Sequence, residues 1–106
     1  MKIYIDTRET DRVRVGVGER MVEREGRAQN VLGIIDEMLI REGKTMKEVS
    51  EVEIEVGPGS FTGLRVGMAI ANTLGWCLGV PVNGRDVEKD GGVEPVYGPA
   101  SFEVKK

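Results

Sequence analysis

The stretch Val56-Gly57-Pro58-Gly59-Ser60-Phe61-Thr62-Gly63 decides the fold, because no regular element tolerates it and it joins a strand to a helix. Before it, residues 51–56 alternate acidic and apolar side chains, which is the period of a half-buried strand. After it, residues 63–78 are almost uniformly apolar and end at Gly79, which predicts a helix with a glycine stop. Backbone amides at such a junction can bind an anion or a phosphate. The loop lacks the Gly-Lys-Ser/Thr ending of a P-loop, and a turn capped by Ser60 or Thr62 is the simpler interpretation.

The residues on either side predict the remaining elements. Residues 2–6, 12–17 and 20–25 carry strand patterns and are joined by short polar turns, which favours an antiparallel meander. Apolar residues recur at helical spacing over residues 28–41, and residues 80–82 predict a short final strand. Right-handed crossovers would place the last two strands parallel to the first. We therefore predict an α/β fold of order β-β-β-α-β-α-β: a single actin-like or ribonuclease-H-like lobe with a mixed five-stranded sheet and two main helices. Residues 1–84 form this lobe, and residues 85–106 form a polar C-terminal tail.

The composition describes one small domain without a metal site. The chain has 106 residues, a net charge of −3 and no histidine, so it offers neither a basic field for nucleic acid nor the commonest metal ligand. Its single cysteine, Cys77, excludes an intrachain disulfide and fits a reducing compartment. We expect Cys77 to be an inert core residue. The N-terminus does not resemble a signal peptide and no apolar run reaches a membrane span, so we expect a cytoplasmic protein.

The second predicted helix is apolar on both sides, with Arg65 as its only charge. A chain with two helices has little material to cover both sides, so one side should bind a partner together with part of the first helix. A helical projection assigns the outer side, and the predicted partner-binding residues are Leu32, Leu64, Arg65, Met68, Ala69, Asn72, Gly75 and Trp76. Met68→Glu or Trp76→Glu should then abolish association and leave the fold intact.

Small residues recur at every fourth position of the second helix: Gly63, Gly67, Ala71, Gly75 and Gly79. Such a ridge allows another backbone to approach closely. For the first three positions, packing on the chain's own sheet and packing on a partner are equally good interpretations.

The run Val56-Gly57-Pro58-Gly59-Ser60-Phe61-Thr62-Gly63-Leu64-Arg65-Val66-Gly67, followed by Ala69-Ile70-Ala71 and a Gly-Val-Pro-Val strand, resembles the TsaB (YeaZ-like) family. This family belongs to the bacterial machinery that installs threonylcarbamoyladenosine next to the tRNA anticodon. The opening Ile5-Asp6-Thr7 and the helix segment Ala28-Gln29-Asn30-Val31-Leu32 are also similar, and the resemblance covers residues 1–84. Members usually carry a second lobe. Here residues 94–99 instead resemble the family's C-terminal tail, which implies a minimal form lacking that lobe. Arg27 and Gly33 depart from the family's usual His and Pro.

The resemblance implies a non-catalytic scaffold that binds and supports TsaD, the catalytic paralogue that transfers threonylcarbamoyl to adenosine. The ATPase TsaE would join the assembly, tRNA would be contacted only indirectly, and a homodimer through the two helices is a further expected partner. TsaD holds a metal through a His-x-x-x-His motif, which a chain without histidine lacks. No cofactor is expected, apart from ATP or ADP at an interface of the full complex. The residues for that contact are Asp6, Thr7, Gly57, Pro58, Gly59, Ser60, Phe61, Thr62 and Gly63.

Three other functions fit parts of the sequence. A ribonuclease-H-like nuclease could use Asp6 with Asp36 or Glu37, but the fourth strand ends without the third carboxylate. An actin-like ATPase fragment could act only within an assembly, because nucleotide binding in that class needs two lobes. A self-associating adaptor could use the apolar helix face between two copies.

Overall fold

Three antiparallel strands at the start of the chain form most of the sheet in this computed structural model, which describes residues 1–93. The predicted strand–helix alternation follows, with short 3-10 turns before α1 and before β4. The element bounds are β1 Lys2–Asp6, β2 Arg12–Val17, β3 Arg20–Glu25, α1 Val31–Glu42, β4 Glu51–Ile54, α2 Phe61–Leu78 and α3 Val87–Asp90.

The sheet is mixed, with strand order β3-β2-β1-β4. Strand β1 pairs antiparallel with β2, where Ile5 lies opposite Val15, and parallel with β4, where Ile5 lies opposite Ile54. The parallel pair follows from a crossover through α1, as the sequence predicted.

The predicted fifth strand is reduced to one residue, so the described sheet has four strands and not five. Val82 forms a single parallel bridge with Val52, and the chain then turns back through Asn83 and Gly84, both of which have positive φ. This Asn-Gly turn directly follows Val82 and leaves no length for a ladder. The amide side chain of Asn83 continues the pairing instead: its Oδ1 accepts from the Ile54 N–H at 2.8 Å, and its Nδ2 donates to the Ile54 carbonyl at 2.9 Å.

Helices α1 and α2 pack on one face of the sheet and enclose the core. The alternating valines of β2 and the isoleucines of β1 point toward the helices, and the predicted stripe of α1 is buried against them. Gly43, with φ of 67°, ends α1 in a left-handed cap. The core side chains are Ile3, Ile5, Val13, Val15, Val17, Val31, Ile34, Ile35, Met38, Leu39, Val49, Val52, Ile54, Met68, Ala71, Leu74, Val82 and Val93.

The opposite face of the sheet is covered by no helix within residues 1–93 and carries a lattice of charges. Lys2 donates to Glu53 at 2.6 Å, the Tyr4 hydroxyl donates to Glu55 at 2.7 Å, and Arg14 donates to Glu23 at 2.9 Å. Every second side chain of each strand lies on this face, next to the side chains of the neighbouring strand. Opposite charges at these positions therefore pair across the strands. Within residues 1–93 this face is therefore mostly ionic, with Met21 and Tyr4 as its apolar side chains.

The segment after α2 folds back onto that helix. Helix α3 brings Val87 against Gly75, and the Asn72 amide holds Val93 by two hydrogen bonds, of 3.0 Å to its N–H and 3.1 Å to its carbonyl. The domain boundary at residue 84 stays a prediction. Residues 94–106, including the 94–99 run that resembles a family tail, lie outside the described residues. None of the helices within residues 1–93 is long and apolar enough to cross a membrane.

Candidate functional site: the outer face of the two helices

Three of the predicted partner-binding residues lie on the sheet side of α2, which corrects the projection. Leu64 and Met68 are 0% and 3% exposed, and Gly75 is buried against Val82. A helix that is apolar all round has no polar side to mark the face turned to solvent. The pattern alone therefore could not show which side contacts the sheet. Met68→Glu would place a charge in the core, and the prediction that it leaves the fold intact is wrong.

The other predicted residues are accessible. Arg65 and Ala69 are exposed on α2, Leu32 is 47% exposed on α1, and Trp76 is 64% exposed near the end of α2. Asn72 is half-buried, because its amide is bonded to Val93. Cys77 is exposed, so its expected place in the core is wrong for the same reason of phase.

An apolar groove of about 390 Å³ runs between α1 and α2 on their outer side. Only one charged side chain, that of Arg65, reaches it. Val66, Ile70, Thr73 and Leu74 also line it, although the helical projection places them on the inner side of α2. The spacing of Val66 and Ile70 by four residues was a usable signal once α1 is known to pack beside them. The lining residues are Leu32, Arg65, Val66, Ala69, Ile70, Thr73 and Leu74.

Two glycines of the small-residue ridge of α2, Gly63 and Gly67, pack against the chain itself. A methyl group added at Gly67 would lie 2.1 Å from Thr7 Oγ1, and one at Gly63 would lie 2.4 Å from the Thr7 carbonyl oxygen. Thr7 is fully buried and donates its hydroxyl proton to the Gly63 carbonyl at 2.8 Å. The glycines thus make room for the end of β1, and the intrachain interpretation of the ridge is confirmed for Gly63 and Gly67.

The loop between β4 and α2 is fixed by bonds within the chain. The Ser60 hydroxyl accepts from the Gly63 N–H at 3.1 Å, as an N-cap does, and the Ser60 N–H donates to the Arg8 carbonyl at 2.7 Å. Gly59 lies so close to Arg8 that a methyl group there would be 2.7 Å from the Arg8 carbonyl oxygen. Thr62 and Phe61 are exposed, and the Arg65 guanidinium lies 5.4 Å from the Phe61 ring centroid. The arrangement places Ser60 in the capping role that the simpler interpretation gave it.

Asp6 is buried and lies between two arginines, with Arg8 hydrogen-bonded to it and Arg14 at 4.0 Å. Burial alone would raise the pKa of the Asp6 carboxyl, but hydrogen bonds from Arg8 hold that pKa below its usual value. The guanidinium of Arg8 donates to the two carboxylate oxygens at 3.0 and 2.9 Å. Asp6 lies on the charged face of the sheet, whereas Glu37 lies on α1 and accepts two bonds of 3.0 Å from Arg24. The structure does not bring together the carboxylates that a nuclease would need.

The groove between α1 and α2 suits the apolar side chains of another polypeptide better than a small polar substrate. It is open, nearly free of charge, and bordered by exposed leucine and alanine side chains. Apolar contact of this kind is the main favourable contribution to most protein–protein association. The site is therefore a candidate interface.

Comparison with known proteins gives the same family from sequence and from structure. Residues 16–84 match the family model described as TsaD, tRNA N6-adenosine threonylcarbamoyltransferase. The chain is 34% identical over 62 residues to the tRNA threonylcarbamoyladenosine biosynthesis protein TsaB of Bacillus subtilis, a stretch covering 48% of this chain and 26% of that protein. It is 41% identical over 54 residues to TsaB of Haemophilus influenzae, covering 51% and 23%.

Among solved structures, YeaZ from Pseudomonas aeruginosa matches with a TM-score of 0.64 and 25% identity over 76% of this chain and 41% of that one. The predicted actin-like α/β lobe is thereby confirmed. The chain spans about a quarter of the length of the two TsaB relatives. With well over half of its residues inside the family model, and with TsaB and YeaZ proteins among its relatives, the chain belongs to the TsaD family and is a TsaB-like member of it.

Proposed function

We propose that this chain acts in threonylcarbamoyladenosine biosynthesis as a non-catalytic partner that binds TsaD through the groove between α1 and α2. The observation that carries the proposal is the groove itself: an apolar surface with a single charged side chain, on the helix face of a TsaB-like lobe. Burying one exposed leucine such as Leu32 contributes roughly 1.5–3 kcal/mol. A few such contacts exceed the cost of side-chain ordering at an interface.

The chemistry of the charged residues supports a role without catalysis. The chain has no histidine, so it lacks both the His-x-x-x-His motif implied for TsaD and the usual general base at neutral pH. Asp6 and Glu37 are each held by an arginine in a bidentate pair, which favours a structural role for both.

Light scattering of the purified chain, alone and mixed with the TsaD of the same organism, tests the proposal. The unmodified chain should form a complex of defined stoichiometry. Leu32→Glu and Ala69→Glu should each abolish it, because either places a carboxylate in the apolar groove. Ile40→Glu is the matched control: Ile40 is 71% exposed on the same helix α1 but does not line the groove, so this variant should bind as the parent does.

Two outcomes would contradict the proposal. A chain that stays monomeric with TsaD present would have no such partner, and equal loss of binding in Leu32→Glu and Ile40→Glu would move the interface off the groove. If the chain alone is dimeric and Leu32→Glu makes it monomeric, the self-associating adaptor is the better description. Recruitment of TsaE and the contact of ATP or ADP with residues 57–63 stay predictions of the resemblance.

A further inference from the structure

A second groove lies at the C-terminal end of α2 and shares no lining residue with the groove between the helices. Its volume is about 370 Å³. The exposed indole of Trp76 forms one wall, and Val80, Pro81 and Val87 from the segment after the helix form the other. A large exposed indole beside an apolar wall is a common anchor point for a partner side chain.

Both charged residues that line this groove are acidic. Asp86 Oδ1 accepts the backbone N–H groups of Glu88 at 2.9 Å and Lys89 at 3.1 Å, which fixes the Asp86 carboxylate at the start of α3. Within residues 1–93 no hydrogen bond or ion pair engages the carboxylate of Glu88. The neighbouring cations Arg85 and Lys89 do not line the groove. The charge contributed by the residues that line this groove is therefore negative.

The end of α2 adds to this negative potential. Gly79 closes the helix with φ of 68°, and both its N–H and that of Val80 donate to the Gly75 carbonyl. The carboxyl end of an 18-residue helix carries a partial negative charge, and the face of an indole ring attracts cations through its quadrupole. Carboxylates, helix end and indole all favour a cation at the same place.

We propose that this groove binds an arginine side chain of a partner protein. The guanidinium stacks on the Trp76 indole beside the carboxylates of Asp86 and Glu88, and the aliphatic stem lies along Pro81 and Val87. Arginine fits better than lysine because its planar head can stack on an aromatic face and still donate hydrogen bonds in its own plane. The site does not depend on the proposed TsaD groove, since the two surfaces have separate linings.

Trp76 is the only tryptophan of the chain, so its fluorescence and its indole N–H resonance report on this groove directly. The probe is the peptide Ac-Ala-Arg-Ala-NH2, titrated into the intact chain. The matched probe replaces arginine by citrulline, which has nearly the same shape and no charge. We expect a saturable change with the arginine peptide, and binding at least about threefold weaker with the citrulline peptide.

Variants of the chain separate charge from shape. Glu88→Gln should weaken the arginine peptide by at least about threefold and leave the citrulline peptide unchanged. Glu51→Gln, an exposed acid on β4 outside the groove, should bind as the parent does. Equal affinity for the two peptides, a change that does not saturate, or an unaffected Glu88→Gln variant would each overturn the proposal. Leu32→Glu should not alter peptide binding, so failure here is distinct from failure of the TsaD interface.

Discussion

Thr7, the residue directly after β1, packs closely against Gly67 of α2. The Thr7 side chain is fully buried and occupies the space that a side chain at position 67 would need. Packed interiors have no slack for an added methyl group at such a distance, so either the helix or β1 must move. Thr7 therefore fixes the distance at which α2 packs on the sheet.

Gly67→Ala should lower the free energy of unfolding by about 1–3 kcal/mol, because the new methyl group overlaps Thr7. Urea denaturation followed by circular dichroism measures the change. Gly33→Ala is the matched control: it lies in the other long helix and meets nothing within 4 Å, so it should stabilise by roughly 0.5–1 kcal/mol through helix propensity alone. Equal effects of the two substitutions would show that Gly67 is not closely packed.

Asp6 should make the free energy of unfolding fall at low pH. The pKa of the Asp6 carboxyl is lower in the folded chain than in the unfolded one. The ionised carboxylate therefore stabilises the fold at pH values above the ordinary aspartate pKa of about 3.9. This stabilisation is lost as the pH falls through the lower pKa of the folded chain. Unfolding free energies measured between about pH 6 and pH 2.5 should fall less steeply for Asp6→Asn than for the parent. An Asp6→Asn variant whose stability falls as steeply with acid as that of the parent would contradict this prediction.

At the scale of elements, the sequence predicted the strands and helices from their apolar repeats, but it did not predict which side of an all-apolar helix is buried. The alternation of β2 and the stripe of α1 each have one apolar side, so their buried residues followed from the sequence. Helix α2 has no polar side, and its orientation came only from Thr7 and the sheet. That is why Leu64, Met68 and Cys77 were placed on the wrong sides, and why the groove residues Val66 and Ile70 were missed.

The final strand failed for a different reason. The run Val80-Pro81-Val82 has strand composition, but an Asn-Gly pair follows at once and Pro81 has no N–H to donate. The single bridge at Val82 is then extended by the Asn83 amide, which supplies one donor and one acceptor to the edge of β4. The Asn83 side chain thus makes the hydrogen bonds that a strand backbone would make, and strand propensities do not describe such a contact.

Removing this amide should loosen the edge of β4. Asn83→Gly keeps the positive φ of the turn but leaves the Ile54 N–H and carbonyl without partners, which should cost about 1–3 kcal/mol. Asn83→Ala should cost more, because alanine also disfavours a φ of 51°. Hydrogen exchange at the Ile54 amide, followed by NMR, should speed up in both variants. An unchanged exchange rate would mean that this bond is not made in solution.

At the scale of the whole molecule, the two faces differ in physical character. The helix face offers an apolar groove with one cation, and the strand face is a lattice of paired charges. Association through the groove between α1 and α2 is thus driven by removal of apolar surface from water and hardly by electrostatic attraction.

The proposed complex with TsaD should therefore tolerate salt. Raising NaCl from about 0.1 M to about 0.5 M should change its dissociation constant by less than about threefold, because screening acts on exposed charges and the groove holds only Arg65. Isothermal titration calorimetry at both concentrations measures this. A tenfold or greater weakening would point to an interface on the charged strand face.

The one-sided distribution of helices limits what can be built from this lobe. Growth of an open filament needs two different adhesive surfaces that do not close on each other, and within residues 1–93 the strand face is mostly ionic, with Met21 and Tyr4 as a small apolar contact. A molecule that binds through one face only leaves no second face to which a further molecule can add. Assemblies that use only the surfaces described for residues 1–93 should accordingly be finite in stoichiometry, with the β-sheet turned outward.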